Sequence, residues 1–271
     1  MNSQLNHEKL EVYRRALDLC VQVECLASKW GDAVSVSDHL SRAAISIVEN
    51  LAQACAASGG SKSVLLDYAL GSTLECAACL DVAVCRELST QVEVEPAKRD
   101  VFEIFCMLIG LRRSWQVASV HEQSAVYDKN NTGLSFHHER LDVYQASLSG
   151  VTSLSTLLKG EKINRQTTQR LDSLSSGIVL NIAEGNGRYA KLDHARFLGI
   201  AYRQTICLAA QLDLCVVRET VQESEIRTLK HLLVRIASMT ASMAGWRHSR
   251  TLSDKVDDKV DDEVPSSPED D

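Results

Sequence analysis

The sequence predicts an all-α fold, two tandem antiparallel up-down four-helix bundles followed by a disordered acidic C-terminal tail. Three observations carry this. The 271 residues are 45% apolar but only 5% aromatic and hold three prolines, a balance that favours helices over a turn-rich sheet. Apolar residues recur at helical spacing, and the chain aligns with itself at a shift of 131 residues.

The shift pairs His7-Glu8-Lys9-Leu10-Glu11-Val12-Tyr13 with His138-Glu139-Arg140-Leu141-Asp142-Val143-Tyr144. It also pairs Asn50-Leu51-Ala52-Gln53 with Asn181-Ile182-Ala183-Glu184, and Trp115 with Trp246. A shift of 132 pairs Leu80-Asp81-Val82-Ala83-Val84-Cys85-Arg86-Glu87 with Leu212-Asp213-Leu214-Cys215-Val216-Val217-Arg218-Glu219. Matches in order along a whole unit identify a duplicated module.

Within each unit the pattern predicts four helices. The first carries Leu10, Tyr13, Leu17 and Cys20, matched by Leu141, Tyr144, Leu148 and Val151, a stripe with helical period. Ser35 or Ser37 and Asn164 are N-cap residues for the second helices, Gly59-Gly60 and Gly185/Gly187 end them, and Pro96 suits the first turn of the fourth. The expected spans are 7–29, 35–57, 61–89 and 95–118, then 138–159, 164–185, 190–219 and 222–249. Such lengths and short loops fit up-down bundles. The domains are therefore 1–118 and 137–250. Residues 119–136, with Asn130-Asn131-Thr132-Gly133, read as a linker, which as a flexible coil spans roughly 24 Å.

The formal charge of −7 is concentrated in residues 251–271, which hold nine acids and two lysines. Residues 1–118 carry 11 bases and 15 acids, and residues 137–250 carry 15 bases and 10 acids, so the halves differ in sign. A near-neutral body argues against strong phosphate binding, and the tail reads as a solvated extension. Nine cysteines, an odd set, and an N-terminus without an apolar stretch point to a reducing cytoplasm. No run of about 18 uncharged apolar residues is found, so no membrane-spanning helix is expected.

The octet Asn181-Ile182-Ala183-Glu184-Gly185-Asn186-Gly187-Arg188, followed by Asp193, Phe197-Leu198 and Ile200-Ala201, resembles the bacterial four-helix-bundle proteins encoded in 23S ribosomal RNA intervening sequences. Leu141-Asp142-Val143-Tyr144-Gln145-Ala146 is similar to that family's first helix. The relatives include the accessory variability determinant (Avd) of diversity-generating retroelements. The first repeat keeps Arg42-Ala43-Ala44, Ser46-Ile47 and Asn50 but has Gln53-Ala54-Cys55 where the family shows Glu-Gly. Conversely, it keeps Gly71-Ser72 and Glu75, where the second has Arg203-Gln204 and Cys207. The resemblance implies a bundle that forms a homopentameric ring in single-module relatives and binds RNA and a reverse transcriptase in the retroelement branch.

Two readings of the octet stand. In the structural one, Gly185 takes a left-handed C-terminal position, Gly187 allows a close turn, and Asn181 bridges helices. In the functional one, Arg188 and Lys191 present cations beside the N-terminus of the third helix, where backbone N–H groups favour phosphate. Arg196 and Arg203, seven apart, and Arg227, Lys230 and His231 are either solvated faces or further nucleic-acid or partner contacts. Cys76 and Cys79 lie inside a predicted helix with no second pair, which fits buried thiols filling a bundle rather than a metal or redox site. His121, His137-His138 and His194 form no catalytic arrangement, and no Gly-rich phosphate loop or nucleophile elbow occurs.

The reading is a protein without catalytic, cofactor or metal residues. It acts as an assembly or scaffold module through a protein partner or copies of itself; the alternative is an Avd-like nucleic-acid-binding accessory protein. A ring of five modules cannot be filled by whole two-module chains. The opposite charges of the repeats therefore favour pairing within one chain, giving a monomer or small even assembly. Limited proteolysis should cut first within residues 119–136; cleavage inside either repeat before this segment would mean that the domains are misdrawn.

Overall fold

The structure is a computed structural model that describes residues 5–30, 35–115, 135–160, 163–188 and 190–246. These residues form eight α-helices and two short 3-10 turns, with no strand among them. Repeat 1 comprises α1 (Glu11–Ala27), α2 (Ser35–Ala56), α3 (Gly59–Cys85) and α4 (Gln91–Trp115). Repeat 2 comprises α5 (Asp142–Leu158), α6 (Arg165–Asn186), α7 (Lys191–Val217) and α8 (Glu223–Met243). In each, consecutive helices touch and the fourth closes against the first, the connectivity of an up-down bundle. The expected linker 119–136, apart from residues 135 and 136, and the tail 251–271 lie outside the described residues.

Helix ends follow local chemistry. Asn164 accepts a hydrogen bond from the Thr167 amide at 2.9 Å and caps α6. Ser35 begins α2, but its hydroxyl donates to Asp172 of the other repeat at 2.6 Å instead of capping. Thr90 and Glu93 bond each other's backbone amides at 2.7 and 3.3 Å, a reciprocal cap that starts α4 at Gln91. Pro96 therefore sits in the second turn of α4, not the first as expected. The helices α3 and α7 both end on a glutamate in the left-handed region, Glu87 (φ 59°) and Glu219 (φ 57°). Leu88 and Thr220 then donate back to the Ala83 and Cys215 carbonyls at 3.0 Å, the six-to-one bond of a Schellman end.

Two further expectations need correction. Gly185 does not take a left-handed cap; it lies inside α6, and the left-handed glycines among the described residues are Gly59 and Gly245. Its glycine is needed for proximity, since a Cβ there would lie 2.9 Å from Phe197 Cβ on α7. The stripe Leu10, Tyr13, Leu17, Cys20 lies at the edge of the repeat 1 core, not at its centre: Leu10, Tyr13 and Cys20 are half-buried against it and Leu17 is 43% exposed, while Val12, Ala16, Leu19, Val23 and Leu26 are buried. Although no uncharged apolar run of that length occurs, α3 and α7 each reach the length and mean hydropathy of a membrane span. In α3 that apolarity is used by burial, as 72% of its most apolar stretch is inside the protein against 28% for α7.

The difference arises because the repeats pack on each other. Besides its own neighbours α2 and α4, α3 touches α5 and α6, and α2 touches α6. Cys76 and Cys79 on α3 are fully buried, and burial pushes both thiols well above the usual range, so they are inert core groups. One contiguous apolar core runs through both repeats.

The Gly185 contact yields a stability prediction. Gly185→Val drives a branched side chain into Phe197 and should destabilise the protein by about 1–3 kcal/mol. Urea unfolding checks it, and an unchanged midpoint would mean that α6 and α7 can separate there without cost.

Candidate functional site

The most elaborate arrangement of polar side chains among the described residues is the junction between the repeats. Its first anchor is Arg188, whose side chain is only 7% exposed. It follows the C-terminal end of α6, where Gly187 allows α3 to approach: a Cβ on Gly187 would lie 2.5 Å from Leu74 Cδ1. The guanidinium lies over Gly71, with Cζ 2.9 Å from where a Cβ would stand, and 5.0 Å from the Tyr68 ring centroid and 4.8 Å from that of Phe197. It donates to the Asp67 carbonyl at 3.2 Å and pairs with Glu184. The second anchor is the buried Arg86–Asp172 pair. Arg86 also donates to Ser175 Oγ at 3.1 Å, and Asp172 accepts from Ser35. Burial pulls the Arg86 guanidinium down to about 10, so it stays charged at neutral pH.

The third anchor centres on Lys98 of α4. Its ammonium joins Asp81 of its own repeat to Glu139 of the other, the latter at 2.8 Å. Burial pulls this lysine down, and the two carboxylates more than reverse it. The Tyr144 hydroxyl, fully buried, donates to Asp81 at 2.8 Å, and its burial together with that carboxylate raises the phenol well above its ordinary value. Beside it Phe136 packs edge-on against Phe102 and Phe105, with centroids 5.2 and 5.5 Å apart. His138 stacks on Phe136 and meets Tyr144 edge-on. Lys159 and Glu87 close the exposed rim at 2.9 Å. Two of these three inter-repeat ion pairs place the base on repeat 1 and the acid on repeat 2, opposite to the net charges of the halves.

The sequence-identified residues divide. Asn181 donates to Gln204 Oε1 on α7 at 3.1 Å, and Ile182 and Ala183 are buried. Arg188 is enclosed in the junction, while Lys191, Arg196, Arg203 and Arg227 are exposed. Lys230 is held by both Asp213 oxygens at 2.6 and 2.7 Å. The octet and the outer cations are thus separate features. Sequence reasoning did not assign roles to Arg86, Lys98, Glu139 or Asp172. One signal was present: Asp81 and Lys98 recur as Asp213 and Lys230 at the same shift of 132, and both pairs form.

A protein of two antiparallel four-helix bundles, joined through polar anchors in an apolar face, belongs to the class of tandem helical-bundle proteins. Among the described residues no group of three or more potential ligands could hold a metal ion. The chain belongs to the 23S rRNA-intervening sequence protein family, whose sequence profile matches residues 8–110 and again 139–242. A search of curated proteins finds no match. A search of solved structures finds none either.

The junction contains a pH-sensitive group. Burial, then the charge of Lys98 and of His137, lower His138 to about 3, and neither ring nitrogen has a hydrogen-bond partner among the described residues. An unfolded histidine binds its proton near pH 6.5. Its folded pKa is depressed, so the unfolded state binds more protons below pH 6.5 and stability falls from there towards pH 3. Between pH 7 and 5 the protein should lose about 2 kcal/mol more than a His138→Phe variant. Urea titrations of both proteins at the two pH values check this; parallel losses would show that His138 is not the group responsible.

Proposed function

We propose that the chain is a non-enzymatic assembly or scaffold protein of its family, acting through protein–protein contacts between helical faces. The observation that carries this reading is the junction itself. A face of one family module covers a face of another, and the cation of the family octet, Arg188, is spent on that contact. Its partner is a protein or a further copy of the chain, no cofactor is called for, and the setting is the cytoplasm expected from the cysteines.

A second reading, a nucleic-acid-binding accessory protein like Avd, is favoured by the exposure of Lys191, Arg196, Arg203 and Arg227 on repeat 2. Under the first reading these cations are solvated faces. Phosphate binding depends steeply on salt, because neutralising phosphates releases counterions. Light scattering of the full chain with and without single-stranded RNA, at low and at physiological salt, separates the two. The expected result is a particle mass that RNA does not change. A micromolar RNA complex that weakens steeply with salt would replace the first reading by the second.

A further inference from the structure

Helices α3 and α7 hold the same place in their repeats, but only α3 has its outer side covered. On α3, over which repeat 2 is laid, Leu74 and Val82 are 2% and 0% exposed. Their counterparts on α7 at the shift of 132, Ile206 and Leu214, are 48% and 41% exposed. Among the described residues α7 touches α6 and α8 and no other helix.

Between α7 and α8 lies a groove of about 690 Å³ whose lining is mainly apolar, Ile206, Ala209, Leu233, Val234 and Ala237 among it. Its ends carry aromatic rings and cations. At one end Tyr202 and Trp246 meet edge-on at 5.3 Å, and Trp246 and Arg203 both lie over Gly199. At the other, Lys230 donates to the Ala209 carbonyl and to Asp213, and Arg227 is exposed one turn before it on α8. Along α8 the groove runs from Lys230 to Ala241, a rise of about 17 Å at about 1.5 Å per residue.

The segment that follows repeat 2 matches this groove in pattern, length and charge. Leu252, Val256, Val260 and Val264 recur every fourth residue, the spacing of one helix face. As a helix that stripe spans about 18 Å, and Pro265 ends it. Residues 252–264 carry six acids and two lysines, against 15 bases and 10 acids in residues 137–250. By itself the stretch is a poor helix, because valine and aspartate have low propensity and Asp254, Asp258 and Asp262 repel one another at i,i+4 spacing. An apolar groove with cations at its ends supplies both missing contributions.

We infer that residues 252–264 fold back as a helix into the α7/α8 groove of their own chain, antiparallel to α8, instead of extending into solvent as their composition suggests. Trp246 lines the groove, and residues 247–251, which extended reach up to about 20 Å, make the turn. Leu252 then lies by Tyr202 and Trp246, Val256 and Val260 cover Ile206, Val234 and Ala237, and Asp261, Asp262 and Glu263 reach Arg227 and Lys230. This also sets two cations at the C-terminal end of the new helix, where its dipole favours them. The tail does for α7 what repeat 2 does for α3. Its hold is reversible, since it rests on one short apolar stripe and on charges at the protein surface. A partner that uses the α7/α8 face has to displace the tail, so the tail is an intramolecular competitor for that face.

Amide hydrogen exchange of the full chain tests this. At about 0.1 M sodium chloride, residues 252–264 should exchange at least about tenfold more slowly than an unstructured segment, and the protection should vanish towards about 1 M, where charges are screened within about 3 Å. It should not depend on protein concentration. Val234→Asp alters a groove residue that is 69% exposed, so it should release the tail while α1 to α6 keep their exchange rates. Val256→Asp lies outside both repeats and should release the tail with the groove itself untouched. Exchange at unstructured rates at the lower salt overturns the docking. Protection that neither substitution reduces places the segment elsewhere and overturns the groove as its seat. Protection that rises with protein concentration shows the tail of a second copy in the groove and overturns the intramolecular arrangement.

Discussion

A helix that is apolar around its whole circumference cannot form the surface of a bundle, and α3 is such a helix. Fourteen of its 27 residues are buried, more than one core-facing stripe can account for. Exposing the second face would cost on the order of 25 cal/mol for each Å² of apolar surface. The chain meets the requirement by laying α5 and α6 of repeat 2 over it. The special features of the junction follow: Gly71 and Gly187 clear space, Arg188 fills it, and polar groups brought along by the packing find partners across it.

Those polar partners set register more than they add stability. Desolvation offsets most of the Coulomb attraction of a buried ion pair, but removing one partner leaves an uncompensated charge at about 3–5 kcal/mol. Arg86 with Asp172, and Lys98 between Asp81 and Glu139, therefore act chiefly against misaligned packings. Their direction is informative. The net charges of the halves point one way, and the two buried pairs point the other. Long-range fields of a few net charges are screened within about 10 Å at 0.1 M salt, so the contacting pairs decide the geometry and the totals do not.

Duplication explains why the two repeats are alike inside and unlike outside. The core helices, the Schellman ends at Glu87 and Glu219, and the Asp–Lys pairs recur. Divergence is concentrated on the faces that meet another module: Gly71 against Arg203, Glu75 against Cys207, Arg188 against Ala57. A fused chain has one inner and one outer version of each face, and among the described residues the inner one meets the other module.

The sequence by itself determined the class, the eight helices and their tandem layout, because helical periodicity and self-similarity are local properties written directly in residue order. It also placed the α6 cap at Asn164 and the burial of Cys76 and Cys79. It misplaced Gly185 and the centre of the buried face of α1 for a common reason. A glycine that avoids a clash looks the same in sequence as one that adopts a left-handed turn, and a stripe at the edge of a core looks the same as one at its centre. Which of two apolar stripes points inward, and that Arg188 reaches Gly71 on another repeat 117 positions earlier, depend on how whole helices pack. Only the tertiary structure decides that, because the contact is made between segments whose separation along the chain carries no periodic signal.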